Sequence, residues 1–184
     1  SQMRDAFGDF GVADEDVFYR IVNKVSDGYI RTEADELQYN LHLLLRFDLE
    51  RALMRGDLQV SELEAAWNDR FSADFGFEVD KPSNGVLQDV HWSVGLFGYF
   101  PTYTLGNVYA GCLYDALRED IQTLDADLAR GNTSAATGWL RQKVQVHGGF
   151  HEPRQLIAQA AGKPVTEAPL LAYLQRKFSQ LYCL

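Results

Sequence analysis

Residues 85–106, GVLQDVHWSVGLFGYFPTYTLG, combine an acid and a histidine with five large aromatic side chains, four glycines and one proline. This density of glycine and proline argues against a continuous helix. An ordinary solvent-exposed loop would not carry so many aromatic side chains. We therefore expect a packed, irregular segment whose polar side chains are held in fixed positions, as in segments that line a binding site.

Apolar residues recur at three- and four-residue steps before this stretch, which indicates amphipathic helices. Acidic residues 14–16 precede the first of these patterns and can cap it. A longer, leucine-rich helix is expected to open at Arg31 and to stop at Gly56. Ser61 and Glu64 have the spacing of a capping box for the next helix.

After the stretch, the same periodicity predicts a long helix from Gly106 to Gly131 and another over residues 135–144. Pro153 fits the first turn of a short helix that ends at Gly162. Residues 170–181 form the last amphipathic pattern. Alternating strand patterns are scarce, so the predicted fold class is all-α.

Composition narrows the class of protein. A net charge of −9 and a pI near 4.8 argue against nucleic-acid binding, which depends on basic patches. No window reads as a membrane span, and residues 1–13 resemble neither a signal peptide nor a transit sequence, so we expect a cytoplasmic protein without membrane contacts. Residues 1–13 suggest a ragged segment cut from something longer, and residues 14–184 a single helical domain.

Two histidines have the spacing of a metal site. His147 and His151 are four residues apart, as in zinc motifs on one helical turn. Two glycines separate them, however, and a Gly-Gly pair disfavours a helix. We expect a turn here. The motif HExxH is absent, and no other Cys, His, Asp or Glu group has ligand spacing, so no metal is expected on this chain.

Several motifs together resemble one family. They are IRTEAD at 30–35, GVLQDVHW at 85–92, FGYFPTYTLGNVYA at 97–110 and VHGGFHEPRQLIAQAAGKPV at 146–165. From about Phe18 onward the chain resembles the C-terminal portion of the carboxypeptidase Taq family of zinc metallocarboxypeptidases. The resemblance implies a multi-helix, cleft-forming fold within a larger helical metallopeptidase. The family's zinc motif is missing here.

The resemblance also implies roles for individual residues. It places Arg31 in the substrate groove, where a guanidinium matches the free carboxylate of a peptide's C-terminus. Asp35 would orient Arg31 or a neighbouring motif. Gln88 and Asp89 belong to the substrate-binding motif as well.

Transition-state stabilisation is implied for the residues that follow. His91 would reach the cleft and donate a hydrogen bond to the substrate or to the tetrahedral intermediate. Tyr99 and Tyr103 are both candidates for the phenol that stabilises the oxyanion, with Tyr109 as a third. His42 is interpreted as a core or boundary residue and is left out of the site.

The favoured hypothesis is the C-terminal part of a metallocarboxypeptidase that releases single residues from peptide C-termini. Zinc or another divalent metal would be bound by residues absent from this chain, which would be inactive alone. Exposed apolar surface would favour self-association, for example as a homodimer. The alternative is a short non-catalytic relative that acts as a peptide-binding or interaction module. A distant third hypothesis is a metal-free hydrolase using Glu33, Asp35 and Asp89.

Overall fold

The computed structural model describes residues 2–9 and 11–184, and within them every regular element is a helix. The all-α prediction is confirmed. The α-helices are α1 (Gln2–Phe7), α2 (Glu15–Val22), α3 (Tyr39–Arg55), α4 (Leu63–Phe75), α5 (Phe100–Asp120), α6 (Leu124–Ala129), α7 (Ser134–Lys143), α8 (Pro153–Ala161) and α9 (Ala168–Tyr182). Short 3₁₀ turns lie at Arg31–Glu33, Val60–Glu62, Pro82–Asn84, Trp92–Val94 and Gln145–His147.

The chain forms two compact units, Ser1–Pro101 and Thr102–Leu184. The first unit contains α1 to α4 and the first two residues of α5, and the second contains the rest. A ragged segment over residues 1–13, followed by one domain over residues 14–184, stays a prediction.

The first unit is built around the packing of α3 on α4. Its core consists of Leu45, Leu49, Trp67 and Phe71, each at most 7% exposed. Burial of side chains of this size stabilises the fold by about 1.5–3 kcal/mol each. Gly56 ends α3 in the left-handed conformation, as the sequence predicts.

The second unit has its own core. Ala116 and Leu117 of α5 pack with Leu124 of α6 and Trp139 of α7. The Trp139 indole is buried, and its Nε1 donates a hydrogen bond of 2.7 Å to Asp120 at the end of α5. The polar end of the tryptophan therefore has a partner, as a buried indole requires.

Two helix starts in the first unit differ from the prediction. Arg31 does not open α3, which begins eight residues later at Tyr39. The reason is local: Ala34 is extended, and Asp35 accepts hydrogen bonds from the backbone N–H groups of Leu37 and Gln38. This is a turn-forming use of aspartate. The capping box before α4 also lies two residues earlier than predicted, at Gln59 and Glu62.

The central stretch is more helical than predicted, because α5 begins at Phe100 instead of after Gly106. Pro101 is compatible with this start, since a first-turn residue needs no backbone N–H bond. Gly106 lies inside α5, where it costs about 1 kcal/mol relative to alanine. The predicted long helix is also interrupted: α5 ends at Asp120, and α6 is separate.

The later helices agree with the prediction. α7, α8 and α9 lie within about two residues of the expected bounds, and Gly162 ends α8 in the left-handed conformation. His147 and His151 flank a turn and share no α-helix, as the Gly-Gly pair predicts. Across the part of the chain that the structure describes, no helix has the length and apolarity needed to cross a membrane.

A close approach within the second unit yields the first testable prediction. A Cβ added at Gly111 in α5 would lie 2.8–2.9 Å from the backbone N and Cα of Leu170 in α9. Relieving this clash would require the backbone of a packed helix to move, which costs free energy. Gly111→Ala is therefore expected to lower the free energy of unfolding by about 1–3 kcal/mol. Thermal and urea denaturation measure this change.

The matched control for this prediction is Gly138→Ala in α7, where a Cβ meets no atom within 4 Å. This change is expected to stabilise the protein by up to about 1 kcal/mol through helix propensity. If both variants were equally stable, the close approach of α5 and α9 would be refuted.

Candidate functional site

Helix α3 presents a buried row of polar side chains. His42, Arg46 and Glu50 follow one another at four-residue steps and are 1%, 0% and 4% exposed. Residues at this spacing lie one above the other on a single helix face. A buried charged residue requires partners, so the surroundings of this row define the candidate site.

Asp89 lies between two arginines. Its Oδ1 accepts hydrogen bonds from Arg31, 3.2 Å to Nε and 2.8 Å to Nη2. Its Oδ2 lies 2.6 Å from both Nε and Nη2 of Arg46. The remaining Nη1 of Arg46 donates to the carbonyl oxygen of His42 at 2.7 Å, and Nη1 of Arg31 donates to the Tyr39 hydroxyl at 3.3 Å.

The charges of this cluster do not cancel. Two guanidiniums and one carboxylate leave one positive charge in a protein whose net charge is −9. Burial alone would raise the pKa of Asp89, but the charges and hydrogen bonds of Arg46 and Arg31 outweigh it and lower that pKa. Burial lowers the pKa of Arg46 to about 10, which still leaves it protonated at neutral pH.

Phe100 forms an aromatic wall of the cluster. It is 1% exposed, and the guanidinium carbons of Arg46 and Arg31 lie 5.5 and 5.9 Å from its ring centroid. Arg46 also lies 4.6 Å from the ring of Trp67. Contacts of this kind favour a desolvated cation.

His91 lies at the edge of the cluster, 9% exposed. Its ring is 4.4 Å from the Phe100 ring and 5.6 Å from the Tyr99 ring. Its Nδ1 lies 3.8 Å from Asp89 Oδ1, which is beyond hydrogen-bond distance. Burial lowers the pKa of His91, and Arg31 and Arg46 act in the same direction against Asp89. The imidazole is therefore neutral at pH 7.

Gln88 and Asp35 both make hydrogen bonds to backbone groups of this chain. Gln88 accepts a hydrogen bond from the backbone N–H of Arg31 at 2.9 Å and donates to the carbonyl oxygens of Tyr29 and Asn84. It thereby joins the 29–31 segment to the segment that carries Asp89. Asp35 caps its own turn, so the carboxylate that holds the Arg31 guanidinium is Asp89.

Glu50 is the last member of the polar row. Its Oε1 accepts a hydrogen bond from the backbone N–H of Gly98, and burial raises its pKa. Gly98 directly precedes Tyr99 and Phe100, the two aromatic residues beside His91. Glu50 thus connects α3 to the aromatic part of the site.

The tyrosine candidates separate between the units. Tyr99 precedes α5, is 43% exposed and lies beside His91 in the first unit. Tyr103 and Tyr109 lie in α5, within the second unit. The structure therefore brings Arg31, Gln88, Asp89, His91 and Tyr99 together within one unit.

The histidine pair of the second unit does not complete a metal site. The rings of His147 and His151 lie 5.4 Å apart. Among the residues that the structure describes, no three His, Cys, Asp or Glu side chains are grouped as metal ligands. These described residues therefore do not fit a metal centre.

Reasoning from the sequence missed Tyr39, Arg46 and Glu50, and it left out His42. A signal was available. Three titratable residues recur at four-residue steps along a leucine-rich helix, and a helical wheel would have placed them on one face.

Comparisons with known proteins agree with this fold. A model of the family described as Carboxypeptidase Taq (M32) metallopeptidase matches residues 1–178. Thermostable carboxypeptidase 1 of Thermus thermophilus is 40% identical over 97% of this chain and 35% of the relative, and carboxypeptidase 1 of Bacillus subtilis 39% over 92% and 34%. The crystal structure of the M32 carboxypeptidase of Deinococcus radiodurans superimposes with a TM-score of 0.95 and 41% identity, over 100% of this chain and 37% of that one.

These relatives define a class of helical carboxypeptidases. The chain belongs to the carboxypeptidase Taq (M32) metallopeptidase family. It spans about a third of the length of the curated relatives that it matches and corresponds to their C-terminal portion. The family resemblance deduced from the sequence motifs is confirmed.

Proposed function

We propose that this chain contributes the substrate-binding part of a metallocarboxypeptidase that releases single residues from peptide C-termini. The relatives are named carboxypeptidases, and the family is one of metallopeptidases. The metal, zinc or another divalent ion, would be held by residues outside this chain. The observation that carries the proposal is the buried Arg31–Asp89–Arg46 cluster, in which two guanidiniums contact one carboxylate.

The charge of this cluster suits a carboxylate. In surroundings of low dielectric constant, a guanidinium attracts an anion more strongly than it would in water. Arg46 is fully buried, whereas Arg31 and His91 are 6% and 9% exposed. Arg31 would therefore meet the substrate carboxylate, and Asp89 and Arg46 would hold its guanidinium in place.

The neighbouring groups suit the chemistry of peptide hydrolysis. A neutral imidazole at His91 can donate one hydrogen bond to a substrate carbonyl or to the oxyanion that forms from it. Tyr99 lies against this ring, which makes it a candidate for the phenol beside His91. One good donor to an oxyanion contributes about 3–4 kcal/mol to the transition state.

Calorimetry tests the carboxylate site directly. A short peptide with a free C-terminus is expected to bind this chain about 10- to 150-fold more tightly than its C-terminal amide, because a charge-assisted hydrogen bond contributes about 1.5–3 kcal/mol. Arg31→Gln is expected to abolish this preference. The variant should still fold, because Asp89 remains paired with Arg46.

Arg118→Gln in the second unit is the matched control for this experiment. Arg118 is an arginine paired with Asp125 at 2.6 Å, and its loss is expected to leave the preference unchanged. Equal affinities of the wild-type chain for the acid and the amide would refute the carboxylate site.

The second candidate function is peptide binding without cleavage. It is favoured because no grouped set of metal ligands is found among the described residues. Incubation of this chain with peptide and zinc tests the inactivity of the chain alone, which both candidate functions predict. Release of the terminal amino acid would contradict inactivity of the chain alone, whereas binding without release is the expected result.

A further inference from the structure

The turn that precedes α5 is tied to α3 through Glu50. Gly95 and Gly98 both have φ of +80°, so this segment turns sharply twice between Trp92 and Tyr99. The backbone N–H of Gly98 points at Glu50, one helical turn beyond Arg46 on the polar face of α3. Glu50 therefore contacts the glycine turn and lies in the same row as the arginine that holds Asp89.

The residues that follow this contact form the aromatic side of the site. Tyr99 comes directly after Gly98, and Phe100 comes next. Their rings lie 5.6 and 4.4 Å from the ring of His91. A shift of the Gly98 amide would move both rings, because only one and two residues of chain separate them from it.

We propose that Glu50 is a positioning residue: its carboxylate anchors the 95–98 turn to α3 and thereby holds Tyr99 and Phe100 against His91. The inference rests on the proposed function, since it assigns Glu50 to the same substrate-binding site.

A buried carboxylate at this position costs free energy of folding. Glu50 is 4% exposed, and a hydrogen bond with the side chain of Trp92 opposes the effect of burial on its pKa. Burying such a group is unfavourable, and an apolar side chain would fill the same space at lower cost. The cost is offset by the hydrogen bonds that the carboxylate accepts from the Gly98 N–H and from the Trp92 side chain, both in the segment before α5.

The pKa of His91 reports whether this anchor holds the aromatic rings in place. Burial is the largest cause of its lowered value, and the charged groups that act on it are Asp89, Arg31 and Arg46. Glu50→Ala removes the anchor without touching any of these charges. The imidazole should gain solvent, and its pKa should rise toward the ordinary value.

The experiment is an NMR titration of the His91 ring in the 184-residue chain, with the Gly98 amide proton as a second probe. Glu50→Ala is expected to raise the His91 pKa and to move the Gly98 amide resonance upfield. Glu50→Gln retains an oxygen acceptor and is expected to keep the His91 pKa near that of the wild type. Gly98→Ala disturbs the same turn from its other side, and its His91 pKa is expected to rise as well.

Leu49→Ala is the matched control, since Leu49 is the preceding residue on α3 and belongs to the core around Trp67 and Phe71. This variant loosens the unit without touching the turn, so the His91 pKa should stay unchanged. An unchanged His91 pKa in both Glu50→Ala and Gly98→Ala would overturn the proposal. So would an equal rise in Leu49→Ala.

Peptide affinity, measured on the same samples, separates this proposal from the proposed function. Glu50→Ala is expected to weaken binding of the free-acid peptide about tenfold, because residues of the site would be displaced from their binding geometry. If the wild-type chain failed to prefer the acid over the amide, the proposed function would fail, and the role of Glu50 in binding with it. If the wild type showed the preference and the His91 pKa stayed fixed in the variants, only the positioning role would fail.

Discussion

Asp89→Asn is expected to lower the free energy of unfolding by about 3–5 kcal/mol, because two buried guanidiniums lose the charge that lies between them. Oδ1 and Oδ2 of Asp89 contact Arg31 and Arg46 at 2.6–2.8 Å, and both arginines are at most 6% exposed. Asparagine keeps the shape of the side chain, so the decrease in the free energy of unfolding measures the contribution of the Asp89 charge. Urea denaturation at pH 7 gives the value.

Asp48→Asn is the control for this substitution. Asp48 pairs with Arg70 at 2.8 Å but is 43% exposed, and an ion pair in water contributes about 0–1 kcal/mol. A loss of similar size in both variants would show that the Asp89 cluster is no more than a surface ion pair.

The pH dependence of the same variant follows from the lowered pKa of Asp89. The folded protein holds this carboxylate ionised to a lower pH than the unfolded chain does, so the stabilisation is present above the unfolded value of about 3.9 and is lost as the pH falls below it. The wild type should therefore lose stability faster than Asp89→Asn on acidification below about pH 4.

The helix stops of this fold were predictable, and several starts were not. Gly56, Gly76 and Gly162 end helices in the left-handed conformation, which glycine adopts without strain. The start of α5 was missed because Pro101 reads as a helix breaker, although in a first turn it breaks nothing. Gly106 shows that helix packing can override a poor propensity.

The members of the candidate site were partly predictable, but their pairing was not. Arg31 and Asp89 were both identified from the motifs, yet the sequence offers Glu33, Asp35 and Glu36 as nearer partners for Arg31. The observed partner lies 58 residues away. Local spacing cannot decide such a contact, since it depends on how Gln88 joins the two segments.

The buried polar row was missed for a different reason. An arginine and a glutamate on a helix usually lie on its solvated face, so the sequence pattern did not single out residues 46 and 50, and His42 was interpreted by itself as a core or boundary residue. Helix α3 instead buries this face as well as its leucine face, and it exposes Leu41 and Leu44 near its start. An apolar stripe alone therefore does not identify the buried side of a helix that carries a polar cluster.

On acidification, His42 is expected to lower the free energy of unfolding of this chain by about 3 kcal/mol, and His42→Leu is expected to remove this loss. The His42 ring is 1% exposed, lies 4.4 Å from the Phe75 ring, and has no hydrogen-bond partner for either nitrogen among the described residues. Burial, reinforced by the charges of Arg46 and Arg31 and opposed by Asp89, lowers its pKa from 6.5 to about 4.

The sign of this effect follows from proton binding. Between pH 6.5 and about 4 the unfolded chain protonates His42 and the folded chain does not, so acidification favours unfolding. Leucine binds no proton, and the difference in unfolding free energy between variant and wild type should grow as the pH falls from 7 to 4. A constant difference across this pH range would mean that His42 titrates as it does in water, and that the face of α3 that carries Arg46 is open to solvent.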